Sequence, residues 1–129
     1  MSLKIIQGES KEFDVPDNWA SARIWPRTGC RNQNGRFVCE TGKCKDSLQC
    51  AGSTGVPPCT LAEFNLNRNN DWYDISLVDG FNIPMSIELT NRACKSLKCT
   101  KDINQNCPRE FQFKTSWGKV VGCYTCRFY

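Results

Sequence analysis

Ten cysteines in 129 residues limit what this chain can fold into more than any other feature. A density of about 8% is typical of secreted folds stapled by disulfides, where apolar burial alone is too weak. The length fits one domain. Such a domain buries a modest core and leaves roughly a third of the unfolded surface exposed. The spacings are Cys30-x8-Cys39-x4-Cys44-x5-Cys50-x8-Cys59, then Cys94-x4-Cys99-x7-Cys107-x15-Cys123-x2-Cys126. A zinc site would want close Cys pairs, and only Cys39/Cys44, Cys94/Cys99 and Cys123/Cys126 approach that. A redox reading of Cys123-Tyr124-Thr125-Cys126 needs a βαβ setting with a helix after the first Cys, and neither is visible. Structural disulfides are the favoured reading, with connectivity left open by spacing.

The chain has no histidine. That removes Ser-His-Asp and Cys-His nucleophile pairs, imidazole metal ligands and imidazole pH switches. Acid–base chemistry falls to carboxylates, Lys, Tyr or Cys, and no cofactor or metal motif is present. The net charge of +4 is unevenly spread. Residues 60–90 hold Glu63, Asp71, Asp74, Asp79 and Glu88 against Arg68 alone, whereas residues 91–129 hold eight basic groups against Asp102 and Glu110. An acidic middle in a basic protein marks a candidate site. Nucleic acid is not the expected partner: a binder would show one basic face interleaved with aromatics, and Arg92, Lys95, Lys98 and Lys101 are spaced like a solvated surface.

No apolar run approaches the roughly 18 residues that span a bilayer. The opening Met1-Ser2-Leu3 leads into a strand-like stretch without the apolar core of a leader. Secretion, which the cysteines suggest, would then imply a mature or truncated form. Helical periodicity is nearly absent. Short alternating segments predict strands at Glu12–Val15, Ala22–Trp25, Phe64–Leu66, Trp72–Leu77, Met85–Leu89, Phe111–Lys114 and Tyr124–Tyr129, separated by Gly, Pro and Asn clusters. Gly55–Pro58 and Asn67–Asp71 read as turns, and the stretch 30–59 as a loop held by local bridges. The fold class is all-β, an antiparallel sandwich.

Alternate side chains of a strand share a face. Trp72, Asp74 and Ser76 therefore point one way, and Arg23 shares a face with Trp25. Asp79 follows in an Asp-Gly turn, and Glu63 begins the preceding segment. A cleft of Glu63, Asp74 and Asp79, with Arg23 holding one carboxylate ionised, has the ingredients for sugar chemistry. Aromatic rings beside it would stack on sugar faces. On spacing alone, the plainer reading of a solvated acidic edge stays favoured.

Longer motifs point further. They are Gly8-Glu9-Ser10 with Phe13, Ala22–Cys30 (ARIWPRTGC), residues 35–50 (GRFVCETGKCKDSLQC), Pro57–Phe64 (PPCTLAEF), Tyr73–Met85 (YDISLVDGFNIPM) and Cys107-Pro108. In this order, from about residue 8 to 126, they resemble the thaumatin-like, pathogenesis-related proteins, a plant defence family with fungal, insect and nematode relatives. The resemblance implies a flattened antiparallel β-sandwich with disulfide-rich loops and an acidic cleft beside it. It implies a secreted protein, often antifungal, that binds β-1,3-glucan and in some members hydrolyses it weakly.

The family's cleft motif, Arg-Glu-Asp-Asp-Asp, has its first four members at Arg23, Glu63, Asp74 and Asp79. By that analogy Glu63 is the general acid, Asp79 the second carboxylate, and Arg23 and Asp74 shape the field. The implied disulfides are Cys30–Cys39, Cys44–Cys50 and Cys107–Cys123. The chain also departs from the family. It lacks the segment with the fifth acid, the opening strand with its Cys, and most of the second lobe. Lys43 stands where an Asp is usual, and Cys59 where the family has no Cys. Cys59, Cys94, Cys99 and Cys126 are left without assigned partners, with Cys94 or Cys99 to Cys126 the preferred new bond. The expected organisation is one truncated domain over 1–129, with sandwich core and Cys-rich loop in 1–93. Residues 94–129 would hold a remnant of the second lobe and a closing C-terminal strand. The alternative to that closure is a dimer through unpaired strand edges.

Three functions follow as expectations. The first is binding of β-1,3-glucan or a related polysaccharide with weak or no hydrolysis. The second is an endo-β-1,3-glucanase using Glu63 and Asp79, and the third a non-carbohydrate inhibitor or effector on the same scaffold.

Overall fold

Strands form where short alternating segments find a neighbour, and nine do so within residues 1–125, the part of the chain that the computed structural model describes. They are β1 (Ala22–Ile24), β2 (Arg31–Gln33), β3 (Arg36–Val38), β4 (Leu61–Asn65), β5 (Trp72–Ser76), β6 (Met85–Ile87), β7 (Leu97–Cys99), β8 (Gln112–Lys114) and β9 (Val120–Cys123). The helical content among the described residues is two short 3-10 turns, Ile103–Asn106 and Arg109–Phe111. Every pairing is antiparallel, so the chain is all-β. The central sheet has the order β1-β4-β5, and β2–β3, β6–β7 and β8–β9 form two-stranded ribbons.

Several boundaries differ from expectation for local reasons. β4 begins at Leu61 because Leu61 and Ala62 are both buried, a continuous run that alternation does not detect. Residues 12–15 alternate but form no strand, since no strand lies beside them to accept the ladder. Trp25 lies beyond β1, and its indole N–H donates to the Gly42 carbonyl at 2.9 Å. The stretch 30–59, expected as a loop, contains the β2–β3 hairpin, which turns through Asn34-Gly35 with Asn34 at φ 50°. At the end of the chain the strand is β9; Tyr124 and Thr125 continue it without strand geometry, and residues 126–129 of the expected Tyr124–Tyr129 strand lie outside the described residues.

Disulfides join Cys30 to Cys39, Cys44 to Cys50 and Cys107 to Cys123, the three pairs that the family resemblance implies. Cys59, Cys94 and Cys99 are free thiols. Among the described residues no bond forms at Cys94 or Cys99, and Cys126, the partner preferred for one of them, lies outside the described residues. Arg27 fastens the Cys44–Cys50 loop: its guanidinium donates to the carbonyls of Ser47 (3.3 Å) and Leu48 (2.7 Å) and stacks 5.1 Å from the Phe37 ring centre.

The apolar core sits at the junction of the sheet and the last ribbon. Phe81, Cys107 and Cys123 are buried there, with Leu77, Ile103 and Phe111 packed against them. Burying a ring the size of Phe81 contributes about 1.5–3 kcal/mol. Phe81 and Cys123 exchange backbone hydrogen bonds at 2.8 Å, tying β9 to the segment after β5. Only glycine fits at position 80: φ is +88°, and a Cβ would come within 2.6 Å of the Cys123 carbonyl.

Asn82 is the polar counterpart of this core, with 2% of its surface exposed. Its Oδ1 accepts from the amides of Thr60 and Ile83, both at 3.0 Å. Its Nδ2 donates to the Pro26 carbonyl at 3.0 Å and the Thr41 hydroxyl at 2.9 Å. One side chain thus joins the segment after β1, the Cys-rich loop, the start of β4 and the turn after β5.

A candidate binding cleft

Pairing in the central sheet decides which side chains meet. Arg23 on β1 stands opposite Glu63 on β4, and Glu63 opposite Asp74 on β5. Direct cross-strand partners share a face, so the three form a row across the sheet. One step along, Asn65 faces Trp72, which adds an indole to the same face. The opposite face carries Ala62, Phe64 and Tyr73; there Trp19 stacks on Phe64 with ring centres 5.9 Å apart.

The row is polarised. Arg23 Nε donates to Glu63 Oε1 at 2.8 Å, and Nη1 lies 3.9 Å from Asp79 Oδ2. Asp74 makes no hydrogen bond or ion pair among the described residues. Burial, and after it the neighbouring Glu63 charge, push its carboxyl above the usual Asp range. The surroundings of Asp74 thus favour its protonated form.

Arg23, Glu63 and Asp74, with Ser21, Ala22, Phe64, Asn65 and Trp72, line an open cleft of about 320 Å³. Trp72 stands at it with 68% of its surface exposed. Asp79 does not line this cleft. It sits in the turn after β5, reaches the site through Arg23, and its carbonyl accepts the Cys59 amide at 2.9 Å. Three of the four predicted residues therefore lie in the cleft, and the fourth, Asp79, is linked to it through the Arg23 guanidinium, which also engages Glu63. The arrangement offers carboxylates and a guanidinium to hydroxyls and an indole to an apolar sugar face.

Cys59 lies behind the row, fully buried. Burial, and secondarily the charge of Asp79, raise its thiol to about 11, with Arg23 opposing. That makes it a packing residue rather than a nucleophile. Among the described residues no cluster of His, Cys, Asp or Glu is placed to hold a metal ion. Sequence reading missed Asn82, whose bonds to Pro26 and Thr60 fix β1 against β4; a lone Asn between Phe and Ile carries no signal for such a role.

Residues 2–129 match the model of the thaumatin family. A pathogenesis-related thaumatin-like protein 3.7 of Cryptomeria japonica is 44% identical over 131 residues, covering 94% of this chain and 55% of the relative. A glucan endo-1,3-beta-glucosidase of Prunus avium is 44% identical over 120 residues, 88% of this chain and 49% of its own. Thaumatin-like protein 2 of Prunus persica is 46% identical over the same shares. The chain spans about half the length of the curated relatives it matches.

Proposed function

The chain belongs to the thaumatin family, and from that premise we propose that it is a secreted defence-type protein that binds β-1,3-glucan or a related cell-wall polysaccharide in the cleft of Arg23, Glu63 and Asp74. The observation that carries this reading is the cross-strand row with Trp72 exposed beside it. Sugars present hydroxyl edges and apolar C–H faces, and this cleft offers charged acceptors and donors for the first and an indole for the second. The glucanase-named relative of Prunus avium supports the same substrate class.

Binding is favoured over turnover by the state of the carboxyls. Hydrolysis needs one carboxyl to donate a proton and another to act as base or nucleophile. Glu63, the general acid by family analogy, has one oxygen engaged by Arg23 at 2.8 Å. Asp74, whose carboxyl is raised by burial and by Glu63, is a second candidate proton donor if the cleft turns over glucan.

Titration with soluble laminarin, followed by a reducing-sugar assay, tests the reading. The wild type binds, Trp72→Ala weakens binding by about tenfold, as expected for losing one buried aromatic face, and sugar release is slow or absent. A wild type that does not bind laminarin overturns the proposal and leaves a non-carbohydrate role on the same scaffold. Release that disappears in Glu63→Gln while binding persists would instead establish the enzyme with Glu63 as its acid.

A further inference from the structure

The two ends of the cleft differ in chemistry. Arg23, Glu63 and Asp74 form its charged row. Two residues along the strands, Asn65 on β4 stands directly opposite Trp72 on β5, and Ser21, just before β1, lines the same cleft. A two-residue step along a strand is about 6.6 Å, roughly the length of one pyranose ring. Ser21, Asn65 and Trp72 are uncharged and exposed. Their hydroxyl, amide and indole N–H make no hydrogen bond among the described residues.

Direct partners on an antiparallel ladder hold their Cβ atoms about 4.5–5.5 Å apart, so the Asn65 amide stands beside the Trp72 indole. A sugar ring stacked flat on the indole brings its rim of hydroxyls to that amide. A side-chain amide carries an acceptor oxygen and two donor hydrogens. It can accept from one hydroxyl and donate to the next oxygen around the rim, whereas an ionised carboxylate only accepts. The position of Asn65 is fixed from both sides. Phe64 before it stacks on Trp19 across the opposite face, and the Leu66 N–H after it donates to the Trp19 carbonyl at 2.9 Å. Ser21 takes φ 50°, a conformation unusual for a residue with a side chain. Such backbone strain persists where the surroundings over-determine it, and it clusters at ligand sites.

We infer that Asn65 determines which sugar the cleft accepts: with Ser21 and Trp72 it forms a neutral subsite for one sugar unit, and the charged row holds the next. The inference rests on the polysaccharide reading above and adds the stereochemistry that the cleft selects. In a β-1,3-linked glucose unit the free ring hydroxyls are equatorial, so they lie around the rim within reach of a single amide. In the galactose epimer the 4-hydroxyl is axial and leaves the rim. The amide then loses a partner, and an unfilled hydrogen-bonding group discriminates more strongly than a missing apolar contact.

Calorimetric titration with β-1,3-gluco- and β-1,3-galacto-oligosaccharides of equal length tests this on the wild type, Asn65→Ala and Trp72→Ala. Wild type is expected to prefer the gluco form by about fivefold, the equivalent of one hydrogen bond. Asn65→Ala loses that preference by weakening the gluco form, while its urea midpoint stays at the wild-type value because Asn65 is exposed. Trp72→Ala weakens both epimers. Wild type that binds the galacto form as well or better overturns the inference and leaves the polysaccharide reading standing. So does an Asn65→Ala protein that keeps the wild-type ratio between the epimers. Wild type that binds neither epimer overturns the polysaccharide reading, and this inference with it.

Discussion

Arg23 Nε and Glu63 Oε1 lie 2.8 Å apart on directly opposed residues of neighbouring strands, with 41% and 28% of the two side chains exposed. An ion pair this open to water contributes little to stability. Glu63→Gln therefore lowers unfolding free energy by less than about 1 kcal/mol in a urea titration, while laminarin binding falls clearly. A large loss of stability with unchanged binding would identify the pair as a structural strut.

Asp74 sets a pH dependence with a definite sign. Its folded-state carboxyl is raised above the usual value of 3.8, first by burial and then by Glu63. The folded protein thus holds the proton more firmly than the unfolded chain, and this site's contribution to stability falls as pH rises from about 3.8 through the raised value. Asp74→Asn removes the effect. The variant should melt higher than wild type at pH 7, and the difference should vanish at pH 3, as scanning calorimetry at the two pH values would show.

The free thiols differ in accessibility. Cys59 is buried with its thiol raised to about 11, whereas Cys94 is exposed. Alkylation of the folded protein at pH 8, read by peptide mapping, should label Cys94 and spare Cys59. Both react in urea. Labelling of folded Cys59 at the rate of Cys94 would contradict the packing seen here.

Asn82 makes four side-chain hydrogen bonds in a site with 2% exposure. Asn82→Ala leaves the Thr60 and Ile83 amides without acceptors, at a cost of about 2–4 kcal/mol. It also loosens β1 against β4, so laminarin binding should fall although Asn82 is not in the cleft. Urea unfolding with disulfides intact measures the first effect and calorimetric titration the second.

The central sheet was legible where alternation is strong. Trp72 to Ser76 alternates, and it placed Trp72 and Asp74 on one face, as the pairing has them. β2 was not legible because Arg31, Asn32 and Gln33 are all exposed and supply no apolar period; the Asn34-Gly35 pair between β2 and β3 was the available signal. β9 escaped because Gly122 interrupts its pattern where the strand packs against Pro58. The alternation at Glu12–Val15 misled, since an alternating segment becomes a strand only beside another. Arg23, Glu63 and Asp74 stood out from the acidic middle and the strand faces, and the resemblance reinforced them, but their order across the sheet depends on register, which spacing alone does not encode.

The candidate cleft stands on the middle of strands rather than on loops. Its backbone is already committed before any ligand arrives, so little ordering entropy is lost on binding. The same rigidity removes adaptability. A sugar with an axial substituent facing the row would meet an unyielding ladder, and discrimination would come from exclusion by shape rather than from adjustment to each guest. Selectivity among polysaccharides would then change through single side chains in the row, with the backbone left as it is.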